Sequence, residues 1–404
     1  MTSPKLKRVL GLTALTFYGV GDILGAGIYA LIGKVAGIVG AAVWASFLVA
    51  FFVAAMTALS YAELCSRIPR SAGAAVFTLE AFGKKWLSYG VGVLLLFSGL
   101  VSMGAGSRAF AGYLTRLVPA LPENAVIFLF FFGLAAINLI GIKESSRANI
   151  VCTLIEMAGL FIVIAAGVKF FGKADLLTVA APETPGHAPA VAILQGGVLA
   201  FYAFVGFEDL ANVAEETKDP ERNMPRAILL ALSLGAVIYM LVAVAAVSVL
   251  PPAELAASKA PLVDVVQKGF PWFPVWAFSL IALFAVANTA LLNFIMGSRV
   301  LYGMSSDRLL PAALGKVHPK TGTPYFAILV IWAVALVIAY SGSLVVLARS
   351  TSLILLCVFL LVNASLIALK LRPTAPTAAF KVPLAVPILG ILSCSVLLIF
   401  AWPV

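Results

Sequence analysis

Long apolar runs recur along this chain of 404 residues, and they restrict its possible folds more than any other feature. A helix that crosses the hydrocarbon core of a bilayer needs about 20 consecutive, mostly apolar residues. Only 11% of the residues are charged, against about 25% in an average soluble protein. The sequence therefore predicts an all-α polytopic membrane protein. It excludes a soluble enzyme, a nucleic-acid-binding domain, a disordered chain and a disulfide scaffold.

Eleven of these runs have the length and apolarity of a spanning helix. They cover residues about 11–34, 38–62, 86–115, 124–141, 148–171, 192–216, 227–250, 272–303, 324–341, 344–370 and 383–402. The outer segments 172–190 and 251–271 are too small to bury a core. We therefore predict a single transmembrane domain over residues 1–404.

Basic residues are divided unequally between the two sides that these spans define. With the N-terminus in the cytoplasm, 19 of the 27 lysines and arginines fall in cytoplasmic segments, six in outer segments and two within spans. This bias follows the positive-inside rule. We therefore expect loops 63–85 and 212–226 in the cytoplasm and loop 172–190 outside.

Cysteine and histidine provide no sign of catalytic or metal chemistry. The four cysteines include no C-x-x-C pair, and the two histidines fall in predicted loops. This pattern supports neither a disulfide framework nor a zinc site. We expect no enzymatic step, no metal and no organic cofactor.

Two predicted spans contain features that interrupt a helix. The first span reads GVGDILGAGIYALIG from Gly19 to Gly33, so several glycines surround a lone Asp22. The sixth reads AFYAFVGFEDLANVAEE from Ala200 to Glu216, where Gly206 precedes two acids. Glycine lowers helix stability by about 1 kcal/mol relative to alanine, and an acid in hydrocarbon is costly. Close packing of small residues would explain the glycines alone equally well.

The positions of the two interruptions indicate an inverted repeat. Spans one to five and six to ten each contain five helices, and consecutive bundles of odd number have opposite orientations in the bilayer. Interrupted first helices in both halves are typical of secondary transporters. We predict a five-plus-five fold with repeats at about 11–171 and 192–370 and an extra helix at about 383–402. Free main-chain groups at such breaks favour an anion and an ammonium group, and an amino acid carries both.

Three stretches resemble the amino acid–polyamine–organocation (APC) transporter superfamily. They are GDILGAGIY (Gly21 to Tyr29), YAELCSRIPRSAGAAVF (Tyr61 to Phe77) and GFEDLANVAEETKDPERNMPRAI (Gly206 to Ile228). The resemblance covers nearly the whole chain and is nearest to prokaryotic relatives of the L-type and cationic amino acid transporters. It implies alternating access, a substrate site at the two breaks and a prokaryotic inner or plasma membrane. The family usually has twelve spans and eleven are predicted here, so the oligomeric state is left open.

The resemblance also implies which residues meet the substrate. Main-chain contacts to its carboxylate and amine fall at Ile23, Gly25, Ala26 and Gly27. Carbonyls that contact the amine fall near Tyr202, Ala203 and Val205, and the ring of Tyr202 would close over the substrate as a gate. Alignment of GYL (Gly112 to Leu114) and DRLLP (Asp307 to Pro311) adds three residues to the side-chain pocket: Gly99, Met103 and Asn293.

Five charged residues lie within the predicted spans, away from their ends: Asp22, Arg108, Glu156, Glu208 and Arg349. An intramembrane charge indicates a function by default. The two arginines lie near the outer ends of their spans, where a long side chain can reach the interface. Asp22 could serve in coupling or in a structural hydrogen bond. Glu208 could serve in gating, or it could only complement the dipole of the half-helix that it begins.

Glu156 is the most informative of these charges, because no other charge lies within eight residues of it. Desolvation disfavours the charged form of a carboxyl group, so a buried glutamate can exchange a proton. In some APC members a lysine occupies the aligned position, and its ammonium stands where sodium binds in other relatives. We expect proton coupling through Glu156. Sodium held by Glu156, Asn288 and Thr289 is the competing chemistry, and an ion pair with Arg108 or Arg349 is the structural alternative.

These observations predict a secondary active amino acid permease whose partners are its substrate and the lipid bilayer, with no nucleic acid. The expected pocket lining is small, apolar or neutral, which favours neutral amino acids. A polyamine or cationic amino acid carrier that uses Asp22 or Glu208 is an alternative, as is an amino acid exchanger. A sensor should carry a signalling domain and a channel a charged or carbonyl-rich filter. The sequence contains neither.

Overall fold

A computed structural model describes residues 8, 10–70, 73–140, 145–180, 188–306, 310–318 and 323–401. Within these ranges every extended regular element is helical, and the β-bridges are isolated pairs. The α-helices, named α1 to α15 in chain order, are Leu12–Ile23, Ala26–Val39, Val43–Arg67, Gly73–Phe82, Lys85–Leu117, Glu123–Ile140, Ser145–Gly167, Pro189–Phe201, Pro220–Val249, Pro252–Ala257, Pro261–Gly269, Val275–Ser306, Tyr325–Ser341, Leu344–Lys370 and Ala385–Phe400.

The helices confirm the predicted all-α polytopic fold. Among the described residues, eight helical segments are long and apolar enough to cross a membrane. The predicted spans at 124–141, 324–341 and 383–402 correspond to the shorter apolar helices α6, α13 and α15. Apolar side chains on these three helices are 62% exposed at Leu129, 69% at Val337 and 68% at Ile399. Such exposure is costly in water and favourable against lipid.

Both predicted helix breaks are present. The first span divides into α1 and α2 at residues 24–25. The sixth runs from α8 through a 3₁₀ turn, Tyr202–Phe204, and resumes as a 3₁₀ helix, Phe207–Glu216. Between them Val205 is extended and Gly206 has a φ of 128°, a conformation that L-residues with a side chain rarely adopt. The five-plus-five fold with two broken first helices is therefore confirmed, while the exact limits of the two repeats stay a prediction.

Helix packing divides the spans into two groups that flank the breaks. The helices α1 and α3 pack on α9, whereas α12 and α14 pack on α5. Pro220 begins α9, where its fixed φ suits the first turn and its missing N–H costs nothing. Ser343 caps α14 by accepting a hydrogen bond from the amide of Val346. The two groups leave between them the space that is described below.

Two connections contain more structure than the sequence predicted. The loop 63–85, predicted to be cytoplasmic, includes α4, whose buried residues are Gly73, Ala74, Phe77, Thr78 and Ala81 and which packs on α5 and α14. The segment 251–271, predicted to lie outside, includes α10 and α11, where Leu255, Leu262 and Val266 are at most 1% exposed. The apolar residues of both connections join the core of the spans. The sequence analysis asked only whether segment 251–271 could bury a core of its own and only on which side loop 63–85 lies, so it did not predict these helices.

Candidate functional site

The two helix breaks lie directly against each other. A β-carbon added to Gly27 would lie 2.4 Å from the Cα of Ala203, closer than β-carbons approach in real proteins. A β-carbon added to Gly206 would lie 3.0 Å from the Cγ of Asp22. Glycine at these two positions therefore allows the main chains of spans one and six to meet in the interior of the protein.

A cavity of about 860 Å³ begins at this contact. Its lining includes residues of both breaks and three basic residues, Arg70, Lys85 and Arg299, which belong to the segments predicted to face the cytoplasm. Eleven of the fifteen site residues that the sequence predicted line this cavity: Asp22, Ile23, Ala26, Gly27, Gly99, Met103, Tyr202, Val205, Glu208, Thr289 and Asn293.

The other four predicted site residues lie outside the lining. A β-carbon added to Gly25 would lie 1.6 Å from the hydroxyl oxygen of Thr289, so this hydroxyl packs directly on the main chain of Gly25. Ala203 packs directly against Gly27, where the two breaks touch. Asn288 donates from Nδ2 to Asn149 Oδ1 at 3.0 Å. Glu156 is fully buried on α7.

The three residues predicted for the side-chain pocket lie together between α5 and α12. Gly99 and Asn293 face each other closely, since a β-carbon on Gly99 would lie 3.0 Å from Asn293 Oδ1. The Asn293 amide donates to the carbonyl of Thr289 at 3.1 Å, which orients its oxygen. Met103 is 1% exposed and completes an uncharged wall. This wall can accept an uncharged side chain and contains no counter-ion for a charged one.

Tyr202 connects the broken sixth span to α5. Its ring is 4% exposed and lines the cavity. The hydroxyl groups of Tyr202 and Ser102 hydrogen-bond at 3.1 Å, and the Tyr202 hydroxyl also lies 3.2 Å from the Ser102 carbonyl. A side chain in this position can cover a molecule at the breaks. Its hydroxyl connects the sixth span to Ser102 on α5.

Tyr239 is a residue of the site that the sequence analysis missed. It lies on α9, fully buried, and its hydroxyl donates to the carbonyl of Ile23 and lies 3.0 Å from the carbonyl of Ala203. These two carbonyls belong to the two breaks, so one hydroxyl satisfies main-chain acceptors that the breaks leave free. A lone tyrosine within the apolar run of the seventh span was the only sign of this role in the sequence.

Acidic side chains meet where the breaks touch. Asp22, Glu208 and Asp209 all line the cavity, and Asp209 was not among the predicted site residues. Glu208 accepts a hydrogen bond from the amide of Gly206 at 2.9 Å, so it caps the half-helix that it begins. Asp209 accepts one from Asn212 at 3.3 Å. Among the described residues, no lysine or arginine forms an ion pair with any of the three acids.

Glu156 makes no ion pair with either intramembrane arginine. Arg108 pairs with Glu123 at 3.0 Å and donates to the carbonyl of Ala339. The carboxyl oxygens of Glu156 have no hydrogen-bond partner of normal geometry among the described residues, although the Asn288 side chain lies beside them. The main-chain carbonyl of Glu156 accepts from the Tyr29 hydroxyl at 2.7 Å, which joins this residue to α2 beyond the first break. The structural alternative of an ion pair is therefore wrong.

Buried tyrosines also connect the first broken span to its neighbours. Tyr113 on α5 donates to the carbonyl of Tyr29 on α2 at 2.6 Å, and both residues are fully buried. The half-helix that follows the first break is therefore hydrogen-bonded to α5 in the interior of the protein.

Comparison with known proteins gives one family and one fold. A sequence model described as amino acid permease matches residues 10–404. The branched-chain amino acid permease BcaP of Bacillus subtilis (strain 168) is 31% identical, over 98% of this chain and 88% of that protein. Cationic amino acid transporter 4 of Mus musculus is 31% identical, over 93% of this chain and 61% of that protein.

Among solved structures, the chain resembles Mhp1, a nucleobase-cation-symport-1 family transporter in a closed conformation with bromovinylhydantoin bound. The TM-score is 0.62 at 14% identity, covering 99% of this chain and 93% of that chain. At this identity the similarity concerns the fold alone.

Proposed function

The chain belongs to the amino acid permease family of the APC superfamily, and from that premise we propose that it takes up neutral amino acids together with protons, by alternating access. The observation that carries the proposal is the contact of the two breaks beside a cavity that most of the predicted site residues line. Free main-chain groups there suit both charges of an amino acid. In this role Ile23, Gly25, Ala26 and Gly27 bind its carboxylate and amine. The carbonyls of Tyr202, Ala203 and Val205 complete the amine site.

The uncharged wall of Gly99, Met103 and Asn293 supports a neutral substrate. A distal ammonium or carboxylate placed against this wall would lose its hydration without gaining a counter-ion. One relative that covers nearly the whole chain is named for branched-chain amino acids, which also supports this choice.

A carrier of cationic amino acids or polyamines is the second candidate. It is favoured by the acidic end of the cavity, where Asp22, Glu208 and Asp209 have no ion-pair partner among the described residues. Another relative is named a cationic amino acid transporter. A second positive charge on the substrate would be attracted to these acids.

Uptake of a radiolabelled panel into proteoliposomes distinguishes the two candidates. We expect leucine, isoleucine, valine and alanine to enter and to compete with one another, while arginine and putrescine neither enter nor compete. Protein-free liposomes are the control. Uptake of arginine or putrescine in preference to every neutral amino acid would replace the first candidate by the second.

Proton coupling is assigned to Glu156, with Asp22 and Glu208 as further coupling or gating groups. Glu156 is fully buried without an ion-pair partner, and burial favours its neutral, protonated form. Protonation from the outer side therefore accompanies loading, and low outside pH favours uptake. Sodium held by Glu156, Asn288 and Thr289 is the alternative, and accumulation with and without sodium separates the two.

Tyr202→Ala is expected to weaken substrate affinity far more than Tyr202→Phe. The ring covers the substrate, so its loss exposes the site, whereas the hydroxyl contributes one hydrogen bond of about 1 kcal/mol. Ser102→Ala removes the partner of that hydrogen bond and should match Tyr202→Phe. Affinity is measured by competition binding. Equal losses in Tyr202→Ala and Tyr202→Phe would indicate a hydrogen-bonding role and remove the gate assignment.

Orientation is tested by single cysteines in a cysteine-free background. Lys218 and Lys173 are both exposed and belong to loops that the positive-inside rule assigns to opposite sides. In intact right-side-out cells, an impermeant maleimide should label Lys173→Cys and spare Lys218→Cys until the cells are opened. Labelling of Lys218→Cys in intact cells would reverse the proposed topology, in which the N-terminus lies in the cytoplasm of a prokaryotic cell.

A further inference from the structure

The acidic end of the cavity contains two carboxyl groups in direct contact. Asp22 is 3% exposed, and its carboxyl group lies within hydrogen-bonding reach of the Asp209 carboxyl. Among the described residues, no amide, hydroxyl or ammonium group donates to Asp22 Oδ2. Two carboxylates cannot hydrogen-bond each other unless one of them carries a proton. The contact itself therefore requires one proton.

Helix ends indicate where that proton resides. Asp22 lies in the last turn of α1, where the partial negative charge of the carbonyls disfavours a carboxylate. Asp209 lies in the first turn of the 3₁₀ helix Phe207–Glu216, where the partial positive charge favours one. Asn212 also donates to Asp209, which supports the charged form at this residue. The proton thus belongs mainly to Asp22 and the charge mainly to Asp209.

The surroundings of the pair contain no charge that would replace the proton. Glu208 lies next to Asp209, Glu156 faces Asp22 from α7, and Tyr239 faces it from α9. Tyr61 on α3 lies near Glu208 and Asp209, and its buried hydroxyl has no hydrogen-bond partner among the described residues. Of the basic side chains that line the same cavity, Arg70, Lys85 and Arg299, none forms an ion pair with Asp22 or Asp209. The neighbours are therefore acidic or neutral.

We propose that Asp22 and Asp209 form a proton-binding site in which one shared proton latches the inner halves of the two broken spans together. The site is distinct from Glu156 and opens onto the cavity, so its proton exchanges with water in the cavity. The proton-binding site itself does not depend on the proposed transport function, whereas its effect on transport rests on that function. Loss of the proton leaves two carboxylates that repel, so α1 and the 207–216 helix separate and no longer move as one body.

Infrared spectroscopy of the purified, substrate-free protein tests the shared proton directly. The background is Glu156→Gln, which removes the other buried carboxyl group that lacks a partner. We expect a protonated-carboxyl band that disappears in both Asp22→Asn and Asp209→Asn, although each removes only one acid. The introduced amide donates the hydrogen bond, so the remaining acid becomes a carboxylate. Glu208→Gln is the matched control and should keep the band.

Persistence of the band in either asparagine variant would show that the proton is not shared and would overturn the proposal. Absence of the band in the Glu156→Gln background would do the same. Thermal unfolding of each variant shows whether it is folded. Because Asp22→Asn and Asp209→Asn should each remove the band, one of them is sufficient for the test if the other does not fold.

The latch has a second, functional readout. Counterflow exchange uses the amino acid with the highest uptake in the panel and equal pH on both sides. Exchange should fall with rising pH, by about tenfold per pH unit once the pair has lost its proton. Asp209→Asn should flatten this dependence, while Glu254→Gln, which changes an exposed carboxylate outside the cavity lining, should keep it. An unchanged pH dependence in Asp209→Asn would contradict the latch. If exchange shows this pH dependence in wild type and loses it in Asp209→Asn, but a pH gradient drives no accumulation, only the proposed proton coupling would be contradicted.

Discussion

Gly27→Val is expected to abolish substrate binding while the protein still inserts and folds. A β-carbon at this position would lie 2.4 Å from the Cα of Ala203, which is main chain and cannot rotate away. The two breaks must separate to admit the side chain, and this displaces the main-chain groups of Ile23 and Ala203 that we propose as substrate contacts. Overpacking of this kind typically costs about 1–3 kcal/mol of stability, which the remaining helix contacts can absorb.

Binding of a radiolabelled neutral amino acid to the purified variant measures this effect, and size-exclusion chromatography establishes that it is folded. Gly133→Val is the matched control, because Gly133 lies on α6 and a β-carbon there would meet nothing within 4 Å. The control should bind as wild type does. Normal binding by Gly27→Val would remove the first break from the substrate site.

Glu156→Gln is expected to abolish accumulation driven by a pH gradient while retaining exchange. Glutamine has the shape of protonated glutamate but cannot release a proton, and the Glu156 main chain still accepts from Tyr29. For a neutral amino acid carried with one proton, each unit of imposed pH difference supports about tenfold accumulation in wild type. The variant should show no accumulation above the external concentration.

Accumulation and counterflow in the same proteoliposomes separate coupling from binding. Glu254→Gln is the control, since Glu254 is an exposed carboxylate of the outer segment 251–271 and should be neutral in effect. If Glu156→Gln accumulates substrate like wild type, Glu156 is structural and the coupling group lies elsewhere. If it loses counterflow as well, its role is in the substrate site or the fold.

The helix breaks could be predicted from the sequence because their causes are local. Glycines crowd around Asp22, and Gly206 precedes two acids, so both interruptions depend on residues within a few positions of each other. The reason for Gly27, in contrast, was visible only in the structure. The sequence argument expected the substrate to approach this glycine, and the structure adds that the main chain of Ala203 packs directly against it.

Contacts between distant segments could not be predicted in the same way. Tyr239 reaches the carbonyl of Ile23 across 216 positions in the chain, and nothing in the seventh span specifies that partner. Asp209 gains its importance from Asp22, which belongs to another span. Likewise α4 was interpreted as part of a loop because its apolar run of ten residues is too short to cross a membrane, and its packing on α5 and α14 was not visible in the sequence.

The most direct test is accumulation by the wild-type protein in sodium-free proteoliposomes under an imposed pH gradient, acidic outside. A radiolabelled neutral amino acid should concentrate inside by about tenfold per unit of pH difference and leak out when a protonophore collapses the gradient. Accumulation that requires sodium and ignores pH would contradict proton coupling. Equilibration without any accumulation would contradict secondary active transport.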